Sequence, residues 1–146
     1  MYTARFTEQV AFLDKLDPDS YVANEYNTGF NSLQRYHRAA IVLIVGDMVQ
    51  GSTLDMDIEQ AQDTGGEGIK PITGKSMTQL TAAGGDSNTI VVVEIRTEEL
   101  DVDGAFDCIN AEVTVGNAAV EFALLLLGLE PRYPPVPTTA LEEVVD

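Results

Sequence analysis

Between Ala39 and Gln62 the chain reads AAIVLIVGDMVQGSTLDMDIEQAQ, and this stretch limits the possible folds more than any other. In its second half Leu54, Met56 and Ile58 alternate with Thr53, Asp55, Asp57 and Glu59. Successive side chains of a strand point to opposite faces, so a period of two buries one face and wets the other. In the first half, Ala39 to Val45, both faces are apolar. The GDMVQG between them has Gly at each end, which predicts an antiparallel pair joined by a loop of about six residues. A half-wet strand beside a strand with two dry faces begins a packed β-sheet, and something must cover the second dry face.

The remaining segments follow the same logic. Residues 3–16 put Phe6, Val10, Leu13 and Leu16 on one face with Thr7 as N-cap, a short helix that Asp17-Pro18 would end. Residues 18–34 mix Tyr21, Tyr26 and Phe30 with turn-forming Asn, Asp, Ser and Gly. They read as an irregular docking arm; the alternative is a first strand around residues 21–25. DTGGEGIKPITGK, residues 63–75, is a long Gly-rich loop with room for a short strand at residues 69–72. TIVVVEIR, residues 89–96, is a strand of β-branched residues, and EELDVDGA, residues 98–105, is a connection that crosses between sheets. In residues 106–115 Ile109, Ala111, Val113 and Val115 face inward, and a Gly116-Asn117 turn leads to AAVEFALLLL. The tail begins with four Pro in seven residues and should be extended and poor in sheet pairing.

Short strands separated by Gly, Asn and Asp turns predict an all-β protein: an antiparallel β-sandwich, jelly-roll-like, with extended N- and C-terminal arms. The expected divisions are an arm at 1–34, the sandwich at 35–130 and the Pro-rich tail at 131–146. The alternative is a two-layer α/β arrangement with residues 118–127 as a buried helix, since AVEFALLLL is rich in helix formers.

Charge narrows the partners. Eight basic residues against 24 acidic ones give a net charge of −16. Nucleic acid and anionic membranes are bound through Lys and Arg, so neither is an expected partner. The first sixteen residues lack a cationic start followed by an apolar core, and no run of about 18 apolar residues occurs, so no signal peptide or membrane span is expected.

Catalytic and metal motifs are sparse. His37 is the single histidine and Cys108 the single cysteine, so no zinc spacing and no internal disulfide can be built. A Ser-His-Asp or Cys-His device needs an oriented base, and no nucleophile elbow is present. Asp55, Asp57 and Glu59 share one strand face and read as solvated. Asp101, Asp103 and Asp107 around Gly104 are the better hard-cation candidates, because a loop can fold its oxygens inward, whereas the Asp55 set lacks the order of an EF-hand loop. No catalytic, cofactor or metal site is therefore expected.

The second dry face carries the functional reading. If Ile41 and Leu43 fill the core, Val42 and Ile44 need another cover. Exposing such side chains forfeits about 1.5 to 3 kcal/mol each, and contiguous apolar patches mark interfaces. The expectation is a homo-oligomer of closed symmetry. Its interface candidates are Val42, Ile44, Phe122, Leu124 and Leu126, with Arg132 and Tyr133 at the start of the tail.

GDMVQGSTLDMDIEQAQDTGGEG, ITGKSMTQLTAAGGDSN, IRTEELDVDGAFD and GLEPRY resemble a family of small virion proteins of tailed bacteriophages, of the head decoration (cement) or head-auxiliary type. The likeness covers roughly residues 36–135 and has no catalytic motif. It implies a non-enzymatic β-sandwich, often trimeric, on the outer capsid surface, tying shell subunits together with the major capsid protein as partner. The arms are then clamps, with Tyr2, Phe6, Phe12, Tyr21, Tyr26 and Phe30 as aromatic anchors on the capsid. Alternatives are a glycan- or receptor-binding jelly-roll module and a neck or tail component of the virion.

Overall fold

The computed structural model describes residues 4–145. A single helical turn, α1 (Phe6–Gln9), precedes ten strands among the described residues. These are β1 (Ala11–Tyr21), β2 (Asn24–Asn27), β3 (Asn31–Ser32), β4 (Tyr36–Met48), β5 (Thr53–Ala61), β6 (Lys70–Ser76), β7 (Leu80–Thr81), β8 (Ile90–Arg96), β9 (Cys108–Gly116) and β10 (Val120–Pro131). One sheet has the order β1-β10-β4-β8. The other has the order β2-β9-β5-β6, with β3 also on β9 and β7 also on β5. Every pairing is antiparallel. Sequence neighbours β1 and β2, β4 and β5, and β9 and β10 lie in opposite sheets, so the chain winds between layers as a jelly roll does.

The core fills the space between the sheets. Ile41, Leu43, Leu54, Met56, Ile58, Ile95, Ile109, Val113, Val120, Leu124 and Leu126 are buried, all from the inward faces of five strands, β4, β5, β8, β9 and β10. The alternation in Thr53–Ala61 and the inward set Ile109, Ala111, Val113 and Val115 stand as the sequence predicts.

Two local expectations are corrected, and one alternative is set aside. The helix expected over residues 3–16 is reduced to Phe6–Gln9, because Ala11–Tyr21 pairs along its length with β10. Four residues of helix hold no stability of their own, and a sheet edge offers backbone partners that a lone helix cannot. Residues 11–32, expected in an irregular arm, thus supply three strands of the sandwich. Secondly, β4 and β5 are not a hairpin: the loop between them carries the chain from one sheet to the other, β4 pairing with β10 and β8, β5 with β9, β6 and β7. Thirdly, residues 118–127 are not helix, since Val120–Pro131 is flanked by β1 and β4 and its helix formers yield to two ladders of partners. Among the described residues the tail after Pro131 carries no strand, and its Val136 is buried against the core.

Candidate interaction surface

The outer face of the β1-β10-β4-β8 sheet is built by register. Phe12, Leu127, Ala40 and Glu94 form one row across the four strands. Lys15, Leu125, Val42 and Val92 form the next, and Ala123, Ile44 and Ile90 the third. Nine of these eleven side chains are apolar β-branched, aromatic, Leu or Ala, on a face that water reaches. Ile44 is 44% exposed, Ile90 67% and Val92 52%. α1 touches this sheet at the Phe12 end, where the rings of Phe6 and Phe12 meet edge-to-face at 6.1 Å. Phe6 itself remains mostly exposed. A groove lined by Pro18, Ser20, Ile44, Gly46, Glu121 and Ala123 continues the face toward the β1 bulges.

The opposite outer face is chemically different. On the second sheet Glu25, Asp55, Asp57, Glu59 and Glu112 stand together, Asp57 directly across from Glu112. Partial burial and the neighbouring charges of Glu59, Glu25 and Asp57 push the Glu112 carboxyl above the usual carboxylate range. The sandwich therefore shows water an apolar side and an anionic side.

The sequence candidates divide accordingly. Val42 and Ile44 lie on the apolar outer face, as expected. Phe122, Leu124 and Leu126 do not: they point between the sheets and are buried, so they fill the subunit's own core. Their odd-numbered neighbours Ala123, Leu125 and Leu127 take the outer face, which sequence alone could not decide because both parities are apolar. Ile90 and Val92 were legible as apolar strand residues but not as exposed ones. Arg132 lies where the tail leaves β10, its amide donating to the Arg35 carbonyl at 2.8 Å, and Tyr133 beside it is exposed.

Among the aromatic anchors, Tyr2 lies outside the described residues. Phe6 and Phe12 border the apolar face. Tyr21 stacks on Phe122 at 4.1 Å and meets Tyr26 edge-on at 4.6 Å, so these two rings close the end of the sandwich instead of reaching outward. Phe30 packs over the loop at Gly66.

Residues considered for chemistry are engaged in structure. The Lys70 ammonium pairs with Asp101 and sits 4.0 Å over the Phe106 ring, so the position at which Asp101 would hold a cation has a charge of its own. That pairing and the Gly104 amide hold the Asp101 carboxyl below its ordinary range. Asp107 accepts from Gln34 and from the Cys108 thiol. Burial, then Asp107, pushes that thiol up to about 12, far from thiolate chemistry at neutral pH. His37 lines a cavity of about 380 Å³ with Leu33, Gln34, Thr97, Phe106 and Arg132. The Thr97 hydroxyl donates to the His37 backbone carbonyl at 3.3 Å.

No protein-family profile and no curated protein matches the sequence. Solved structures do. A chain of the infectious bursal disease virus Gt strain is 12% identical with a TM-score of 0.48, over 88% of this chain and 35% of that one. This chain thus spans about a third of that protein's length. A chain of Broad Bean Stain Virus is 9% identical with a TM-score of 0.46, over 100% of this chain and 97% of that one. The Tobacco streak virus coat protein is 6% identical with a TM-score of 0.38, over 97% and 99%. The strand order described above, and not these likenesses, defines the fold.

Proposed function

We propose that this chain is a non-enzymatic structural protein of a virion, and more narrowly a decoration (cement) protein that binds the outer surface of an assembled tailed-phage head. The observation that carries this reading is the apolar outer face of the β1-β10-β4-β8 sheet, which the chain's own arms leave bare at Ile44, Ile90 and Val92. A subunit with one apolar side and one anionic side has a built-in orientation: the apolar side goes against a protein shell and the anionic side to water. The net charge of −16 fits the outside of a DNA-filled particle better than its lining. The sequence resemblance supports the same assignment and supplies the major capsid protein as partner. Binding assembled shell in preference to free subunits stabilises the particle by mass action, and several copies in one oligomer turn modest contacts into avidity. The resemblance implies a trimer.

The test is co-sedimentation of the purified protein with undecorated heads. Leu125→Glu, in the centre of the apolar face, should abolish binding, and Asp55→Asn on the anionic face should leave it intact. Unimpaired binding by Leu125→Glu sinks the docking face. Recovery from native particles at a handful of copies, in place of a number comparable to the major capsid protein, moves the protein to the neck or tail.

A further inference from the structure

The two margins of the β1-β10-β4-β8 sheet end it in opposite ways. β1 carries two register shifts and the sequence Asp17-Pro18-Asp19, which spoil it as a template for another strand. β8 holds an unbroken register with β4 from Ile90 to Arg96, without Pro, and its other side is unpaired among the described residues. Its odd-numbered residues turn their backbone groups to β4, as the 2.9 Å bond from the Val45 amide to the Thr89 carbonyl marks. Alternation turns the even-numbered ones outward. Two of those outward groups are already taken. Lys75 Nζ donates to the Glu94 carbonyl at 2.7 Å, and the Arg96 amide donates to the Glu99 carboxylate at 2.8 Å. Ile90 and Val92 keep amide and carbonyl open on that side, beside a groove of about 470 Å³ between Val91–Glu94 and the 74–80 segment.

We propose that this edge is a two-fold contact between copies of the chain, β8 pairing antiparallel with β8 of a second copy about Val91. In that register Ile90 of each copy faces Val92 of the other, and each open amide meets an open carbonyl. The cross-strand pairs on the outer face are β-branched against β-branched. Glu94 comes opposite Asn88 and not another carboxylate. Thr89 to Val93 bears no charge, so this is where two copies of a −16 subunit approach with least repulsion. The contact is isologous, as a two-fold requires. It joins the apolar rows through Val42 and Val92, and through Ile44 and Ile90, into one surface across eight strands. This two-fold stands independently of the virion assignment, and its closure differs from a trimer.

Sedimentation equilibrium of the full chain at high-micromolar concentration should give twice the subunit mass. Val92→Lys should give the subunit mass with an unchanged far-UV spectrum, since its side chain stands on the water-exposed outer face and its backbone groups turn away from β4. Oxidation of Val91→Cys should yield a disulfide-linked dimer, because only a register centred on this residue sets it against itself; Val93→Cys should not cross-link. The cysteine pair keeps the β8 side chains at 90 and 92 native and decides the matter if Val92→Lys fails to fold. A monomer at that concentration, a trimer, or cross-linking of Val93→Cys as readily as Val91→Cys overturns the proposal. Head binding by the unmodified chain as a monomer would overturn it while leaving the decoration role standing.

Discussion

Glu112 faces Asp57 across the β5–β9 ladder, with Glu25 and Glu59 close by. Its raised pKa means that the folded state holds this proton more tightly than the unfolded chain does. Stability from Glu112 is therefore greatest below the ordinary carboxylate range and is lost as pH rises through that range to the raised folded value. Glu112→Gln should remove the loss, stabilising the protein at neutral pH by about 0.2–1 kcal/mol, the scale of a directly opposed like-charge pair. Denaturant midpoints measured across pH should show that advantage closing toward acid. Glu99 runs the other way: the Arg96 amide, then Lys75, hold its carboxyl low, so its contribution is present at neutral pH and disappears on acidification. Parity supplies the second expectation at this scale. Leu124→Ala should cost about 2–5 kcal/mol as a buried large-to-small change, whereas Leu125→Ala, one residue on and facing out, should leave the urea midpoint nearly unmoved. Equal losses would mean that the outer face is packed. Leu124 and Leu125 have the same side chain, and only the register with Leu43 and Val42 tells them apart.

At the scale of elements, β1 decides what the N-terminus can lose. Deleting residues 1–10 should leave a folded sandwich, because β1 begins at Ala11 and α1 rests on the sheet from outside. Deleting residues 1–21 removes β1 and bares β10, whose inward Leu124 and Leu126 lie in the core; that variant should aggregate or lose cooperative melting by circular dichroism. A cooperative transition in the longer deletion would show β1 to be dispensable. The sequence concealed this strand because Phe6, Val10 and Leu13 keep helical spacing, and the two bulges of β1 break the alternation that would have revealed it. The opening pair was misjoined for a related reason. Alternation in Thr53–Ala61 correctly gave a strand and its buried face, yet periodicity carries no information about which sheet a strand enters. Pairing partners far along the chain settle that, as they settle the strand conformation of Val120–Pro131 against its helix-forming residues.

Over the whole molecule, composition and punctuation were enough for the class: β-branched runs, Gly and Asn turns and a dry second face led to a sandwich with an exposed apolar side. The distribution of that side was not readable, since it arises from rows assembled across β1, β10, β4 and β8, strands spread from Ala11 to Pro131. The central place of β10 has a further consequence for how the protein comes into being. Among the described strands it is the last in the chain, and it is the one inserted between β1 and β4. While it is still inside the ribosome, the first ten dozen residues hold a half-built layer with its middle missing, and Ile41 and Leu43 have no roof on that side. Folding must therefore wait for β10, and a cell making this protein in quantity carries a population of nascent chains whose greasiest surface is uncovered until that strand has emerged.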